Sequence, residues 1–250
     1  MSVSNANPVV TAANSTPSPY AVNTPVTVIA NFTDAGKNDT HSCSVDWQDG
    51  SSIGTVSEAP GSGSCTATHT YTAPGVYTVT TTVTDDDLGS GSATTQVVVY
   101  DPSAGFITGG GWLNVDPGSY PAMPTLGGRA NFGFTSQYKK GATIPTGETE
   151  FQFQVGNFNF HSEAYSWLVV SGYKAQYKGT GTVNGASGYD FTLTAYDGDV
   201  QNSGYDRFRI SITNHATGVV VFDNRNGTSM AIDSANPQNI QGGSIVIHKA

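Results

Sequence analysis

From Pro25 to Tyr100 apolar and polar side chains alternate with a period of two, and glycine, proline, asparagine and aspartate interrupt the runs at short intervals. A helix repeats every 3.6 residues, so this pattern resolves into faces only when the chain is extended. The clearest run sets Tyr77, Val79, Thr81 and Val83 against Thr78, Thr80, Thr82 and Thr84, which predicts one packed face and one hydroxyl-covered wet face. Val26, Val28, Ala30 and Phe32 share a face in the same way; so do Cys43, Val45 and Trp47, and so do Cys65, Ala67, His69 and Tyr71. A last strand holds Ala93 to Tyr100. The chain is expected to be all-β, and this region to be a sandwich of two sheets.

Alternation breaks at Tyr100-Asp-Pro-Ser-Ala-Gly105, and a glycine cluster, Gly109 to Gly111, follows. The domain boundary is placed there, giving domains over 1–102 and 103–250. Beyond it, aromatic residues alternate with small or polar ones at 131–134, 151–155 and 158–160. Further strands are predicted at 167–177, 189–196, 208–213, 219–222 and 245–248, with turns at Asn184-Gly185, Asp197-Gly198 and Asn226-Gly227. So many short strands suit a second antiparallel β-sandwich, jelly roll or barrel, which leaves few sticky edges. Gly109 to Gly111 lack a following helix and a Gly-Lys-Ser/Thr ending, so they are not a phosphate loop. They are read instead as a place where the strand meets another backbone closely.

Acidic residues number 19 against 10 Lys and Arg, a formal charge of -9, in a chain with only 12% charged residues. That balance repels phosphate backbones and anionic lipid, so nucleic acid and membrane surfaces are excluded as partners and divalent cations are favoured. No apolar run reaches the roughly 18 residues of a spanning helix, so no membrane insertion is expected. Met1 is followed by polar residues, so any export signal was removed or lay on a longer precursor. The two cysteines, Cys43 and Cys65, both fall on predicted strands of the first domain. An even pair in a β-sandwich suggests one disulfide and an oxidising, extracellular setting; the alternative is two buried thiols.

The stretch Val45-Asp-Trp-Gln-Asp-Gly50, followed by His69-Thr-Tyr71, Gly75-Val-Tyr77 and Val79 to Asp85, resembles the PKD domain family over about residues 7–101. In that family the first element usually reads Trp-Asp-Phe-Gly-Asp-Gly, so Gln48 stands at a glycine position. The resemblance implies a seven-stranded immunoglobulin-like sandwich of secreted bacterial and cell-surface proteins, used as a spacer or binding module. Some relatives bind calcium near the start of the chain, and the matching positions are Asn7, Asp34, Asp39 and Asp85; the competing reading is solvated turn carboxylates. Asp46 and Asp49 are read as turn caps, and His69 as a packed, hydrogen-bonded histidine. Residues 105–248, with Gly105-Phe-Ile-Thr-Gly-Gly-Gly-Trp112, look like a module that follows PKD domains in large secreted bacterial proteins.

In this second domain Asp197, Asp199 and Asp206 surround one predicted hairpin and are a second candidate calcium site. Trp112, Tyr196 and Tyr205 are candidate sugar-stacking residues, although aromatics at alternate positions are mostly core. His161, Glu163 and Tyr165 are the best local cluster for acid–base chemistry. The expected function is a non-catalytic secreted or cell-surface module pair, calcium-stabilised, that serves as spacer, scaffold and binding or adhesion unit. Its partner is an extracellular polysaccharide, a surface protein or another copy of itself. The alternatives are a carbohydrate-active enzyme fragment using Glu163 or Asp199, and a subunit of an extracellular fibre.

Overall fold

A computed structural model describes residues 5–15 and 18–249. The chain divides into two compact units, Met1–Val99 and Tyr100–Ala250, each with its own core. In the first, strands β1 (Val9–Ser15), β2 (Tyr20–Ala21), β3 (Pro25–Thr33), β4 (His41–Asp46), β5 (Ser51–Ile53), β6 (Thr55–Ala59), β7 (Ser62–Thr70), β8 (Gly75–Asp85) and β9 (Ser90–Tyr100) build two sheets. Their orders are β1-β3-β7-β6 and β2-β9-β8-β4-β5. The alternation predicted for β3 and β8 is observed: Val26, Val28, Ala30, Phe32, Val79 and Val83 are buried between the sheets.

Seven passes of chain become nine hydrogen-bonded strands because two passes change sheets. The first contributes β1 to one sheet and β2 to the other, and the pass over residues 51–59 does the same through β5 and β6. Gly54 is the crossing point of the latter, and it crosses against the Cys43–Cys65 disulfide. A Cβ at 54 would fall 2.5 Å and 2.6 Å from the two sulfurs, so only glycine fits. The disulfide, predicted from the cysteine pair, joins β4 of one sheet to β7 of the other. Gln48, at the family's glycine position, adopts a left-handed φ of 73°. The Thr78 amide donates to its Oε1 at 2.6 Å, which offsets part of the strain.

The second domain is a meander. Strands β10 (Phe106–Val115), β11 (Gly128–Gln137), β12 (Thr146–Phe153), β13 (Phe158–Ser171), β14 (Lys174–Val183), β15 (Ala186–Tyr196), β16 (Arg207–Asn214) and β17 (Val220–Asp223) each pair with the next. Then β18 (Gln238–Asn239) joins the edge of β16, and β19 (Gly242–His248) returns to pair with β10. This nearest-neighbour order has none of the crossed connections of a jelly roll. Phe132 on β11 and Phe208 on β16 stack at 4.2 Å, although five strand spacings separate them. A flat sheet would hold them roughly 24 Å apart. The sheet therefore curls around its aromatic core, where Phe151, Phe153, Phe158, Phe160 and Phe222 also lie.

Two sequence expectations need correction. The run 167–177 is two strands, β13 and β14, because the chain reverses at Gly172, whose φ is 61°. Asp197-Gly198 is the cap and first residue of a one-turn helix, α1 (Gly198–Gln201), and not a two-residue hairpin. The Asn184-Gly185 turn stands as predicted, with φ of 51° and 81°. Neither did the sequence reveal the segment 224–237 that covers the outer face of β14, β15 and β16. Beneath it lies Arg209, 1% exposed, paired through Nε and Nη2 with Asp223 at 3.0 and 2.8 Å. Its remaining N–H groups donate to the carbonyls of Thr228, Ser229 and Ala235, so all five donors are used.

Replacing Cys43 and Cys65 together with serine is expected to cost the first domain roughly 3 kcal/mol, from the loop of 22 residues that the bond closes. Calorimetry of the full chain should show the lower transition for that domain alone.

Candidate functional site

The ends of β3 and β8 and the chain leading into β1 converge at one end of the first domain. Asp34 follows β3, Asp85 ends β8, and Asp39 lies in the loop before β4; one carboxylate oxygen from each lies within 4.8 Å of the others. Asn7 joins them: a Cβ on Gly89 would meet Asp85 Oδ2 at 2.5 Å and Asn7 Oδ1 at 2.6 Å. The four positions carried over from the PKD resemblance are thus brought to one place, although Asp34 and Asp85 are 51 residues apart in the chain.

The three carboxylates differ in their partners. Asp85 accepts from the Gly89 amide at 2.7 Å and from Asn5 Nδ2 at 2.9 Å. Burial pushes its pKa up, but these hydrogen bonds, the Asp87 amide and nearby His41 outweigh that and hold it below the ordinary aspartate value. Asp34 accepts from the Gly36 amide at 2.7 Å and faces His41 Nε2 at 3.2 Å, while His41 Nδ1 faces Glu58 at 2.8 Å. Desolvation pulls the His41 pKa down, yet its two carboxylate partners raise it overall. Asp39 has no hydrogen-bond donor among the described residues. Burial raises its pKa, and the charges of Asp34, Asp86, Asp85 and Asp87 raise it further. Residues 1–99 carry eight carboxylates (Asp34, Asp39, Asp46, Asp49, Glu58, Asp85, Asp86 and Asp87) against the single cation Lys37. These are hard oxygens whose negative charge Lys37 and His41 offset only in part, the donor set suited to calcium.

The second candidate set is not brought together as a cation cage. Asp197 caps α1, its Oδ1 accepting from the amides of Asp199 and Val200 at 3.0 Å, and its Oδ2 accepts from Ile247 at 2.8 Å. Asp206 accepts from Gly198 and from Ile245, each at 2.7 Å. Asp199 points to solvent. The expectation of calcium at Asp197, Asp199 and Asp206 is therefore corrected: both oxygens of Asp197 and both of Asp206 are occupied by backbone N–H groups that belong to α1 and β19.

Tyr196 is also reassigned. It is 5% exposed and its hydroxyl donates to the Ile232 carbonyl at 2.7 Å, beneath the covering segment. Tyr205 is exposed, and Trp112 is half-buried on the outer face of β10 with the Arg129 guanidinium 4.4 Å above its ring. The acid–base cluster disperses. His161 faces Glu150 at 3.6 Å, Glu163 accepts from Ser187 at 2.7 Å, and Tyr165 turns inward to Thr149 at 2.8 Å. In the first domain Asp46 caps its turn, accepting from the Gln48 amide, whereas Asp49 pairs with His69 at 2.9 Å as that ring stacks on Trp47.

Residues 5–99 match the PKD domain family. No curated protein matches the chain. Among solved structures, carbohydrate-binding modules of the β-sandwich superfamily align over 99% of this chain and 95% of theirs, at 16% identity and a TM-score of 0.34. An uncharacterised Listeria monocytogenes protein in complex with glucose, magnesium and calcium aligns over 83% of this chain and 18% of its own, at 8% identity and a TM-score of 0.29. The cycloalternan-forming enzyme of the same organism, in complex with a pentasaccharide, aligns over 84% and 18%, at 10% identity and a TM-score of 0.28.

Asp206→Ala strands the amides of Gly198 and Ile245 and is expected to destabilise the second domain by about 2–4 kcal/mol. EDTA should leave the melting of that domain unchanged in both forms; a calcium-dependent shift there would restore the metal reading of Asp206.

Proposed function

We propose that the chain is a non-catalytic pair of extracellular modules, in which a calcium-stiffened PKD domain spaces and presents a second, ligand-contacting domain. The observation that carries this reading is the convergence of Asn7, Asp34, Asp39 and Asp85 at one end of a domain that matches the PKD family. Asp39 supports calcium most directly, because its charge meets other carboxylates and no donor among the described residues. A divalent ion placed among the three carboxylates removes their mutual repulsion and ties the start of the chain to β3 and β8. The Cys43–Cys65 disulfide supports an oxidising, extracellular location. The dispersal of His161, Glu163 and Tyr165 supports a binding role over a catalytic one, since general acid–base work needs groups aimed at one point.

Calcium at about a hundred times its Kd adds roughly 2.7 kcal/mol to a domain that binds it only when folded. For a domain of this size that moves the melting temperature by on the order of 10 °C, and EDTA should reverse it. Asp39→Asn should abolish the calcium shift without lowering the melting temperature of the metal-free protein, because it removes repulsion along with a ligand. Identical melting in calcium and in EDTA would remove the ion from the account, and release of reducing ends from a polysaccharide would overturn the non-catalytic reading.

A further inference from the structure

On the outer face of the second domain, β10, β11, β12 and β13 place Gly110, Gly133, Glu150 and His161 side by side in register. The neighbouring row on one side is Trp112, Asn131, Gln152 and Asn159; on the other it is Thr108, Thr135 and Glu148. Two concavities of about 270 and 190 Å³ open in this face, and both are bordered by Gly133 and Glu150. One extends past Thr135 and Glu148, the other past Asn131 and Gln152.

The glycines here are not explained by the fold. Of the run 109–111, Gly109 and Gly111 are required: a Cβ would strike the Phe134 ring at 2.5 Å in the first case and the Gly242 carbonyl in the second. Gly110 has nothing nearer than 3.7 Å, and Gly133 has open space within 4 Å. Neither has a positive φ. Glycine in a strand interior costs roughly 0.5–1 kcal/mol relative to alanine and gives up a side chain's packing. Where no neighbour demands it, the remaining use is to let something from outside approach the backbone closely.

The walls define what that something is. Glu148 and Glu150 are exposed acceptors, Asn131 and Gln152 both donate and accept, and the Trp112 ring with Arg129 forms a flat plate beside them. Vicinal hydroxyls both donate and accept, and pyranose rings present flat C–H faces, so the two sets are complementary. Resting on the reading of this domain as the ligand-contacting module, we infer that the furrow over Gly110 and Gly133 binds an uncharged polysaccharide chain. The Glu150–His161 pair closes the furrow on the β12–β13 side, and the chain lies over the glycines with Trp112 and Asn131 on one flank.

The test is native gel electrophoresis of the full chain through gels containing β-1,4-glucan, β-1,3-glucan, xylan, mannan or amylose. At least one polymer should retard the protein. Gly133→Val fills the furrow from an open sheet face, so it should weaken retardation at least tenfold while leaving the melting temperature equal or higher. Glu150→Ala, which removes a wall and no core contact, should weaken it as well. Retardation by none of the polymers, or full retardation of Gly133→Val, overturns the furrow as the site. Both outcomes leave the calcium-dependent melting of the first domain untouched, so the failure of this inference is distinguishable from failure of the module reading.

Discussion

The second domain depends on how its last strand is held. Curling a meander of antiparallel strands around one aromatic core leaves β19 with β10 on one side and a row of N–H groups on the other. Such an edge is a site for pairing with foreign strands unless something satisfies it. Here the acceptors are carboxylates: Asp197 takes the Ile247 amide and Asp206 takes that of Ile245, while both also hold the start of α1. Charge-assisted hydrogen bonds to backbone are stronger than neutral ones, so two side chains do the work of a missing ladder. The seam fixes β19, and β19 covers the free edge of β10, the strand whose other edge sets Gly110 opposite Gly133.

The same residue type meets the opposite fate in the first domain. Asp197 and Asp206 are surrounded by amides that their own loops supply, and their charge is consumed internally. Asp39 receives none from the described residues, and Asp34 and Asp85, though hydrogen-bonded, add their charge to it. What separates Asp39 from Asp197 and Asp206 is therefore the supply of N–H donors, which is a property of the loop backbone and not of the acidic residue. His41, held between Asp34 and Glu58, is the internal counter-charge at that end.

Much of the first domain was legible because a period of two, a cysteine pair and a PKD-like motif all point to the same sandwich. Even there, the sequence did not show that the pass over 51–59 changes sheets at Gly54, since nothing in Ile53-Gly54-Thr55 marks it until both sulfurs stand beside the glycine. In the second domain the strands were legible, but their ends were not. Gly172 lies between Trp167-Leu-Val-Val170 and the alternating Tyr173 to Tyr177, so the run reads as continuous, and Asp197-Gly198 reads equally well as a hairpin turn or a helix cap. The buried Arg209 was invisible for a different reason. Its place in β16 is the outer face of a strand, which is wet unless a distant segment covers it, and the covering segment 224–237 has no periodicity to announce that it will.

The inner face of the curled sheet is filled by phenylalanine rings, β19 is sealed by carboxylates, and the outer face of β14 to β16 is covered by the segment around Arg209. None of these elements covers the outer face of β10 to β13, where the walls are polar and the floor is glycine. A sheet can carry two unsupported glycines there because the opposite face of the same strands buries Leu113, Ala130, Phe132 and Phe134, whose packing fixes the strands regardless. Burying such side chains contributes roughly 1.5–3 kcal/mol for each large one, more than the glycines give up. The stability of the inner face is what permits a concave outer one, and the two faces of β10 and β11 are best understood as a core and a furrow sharing one backbone.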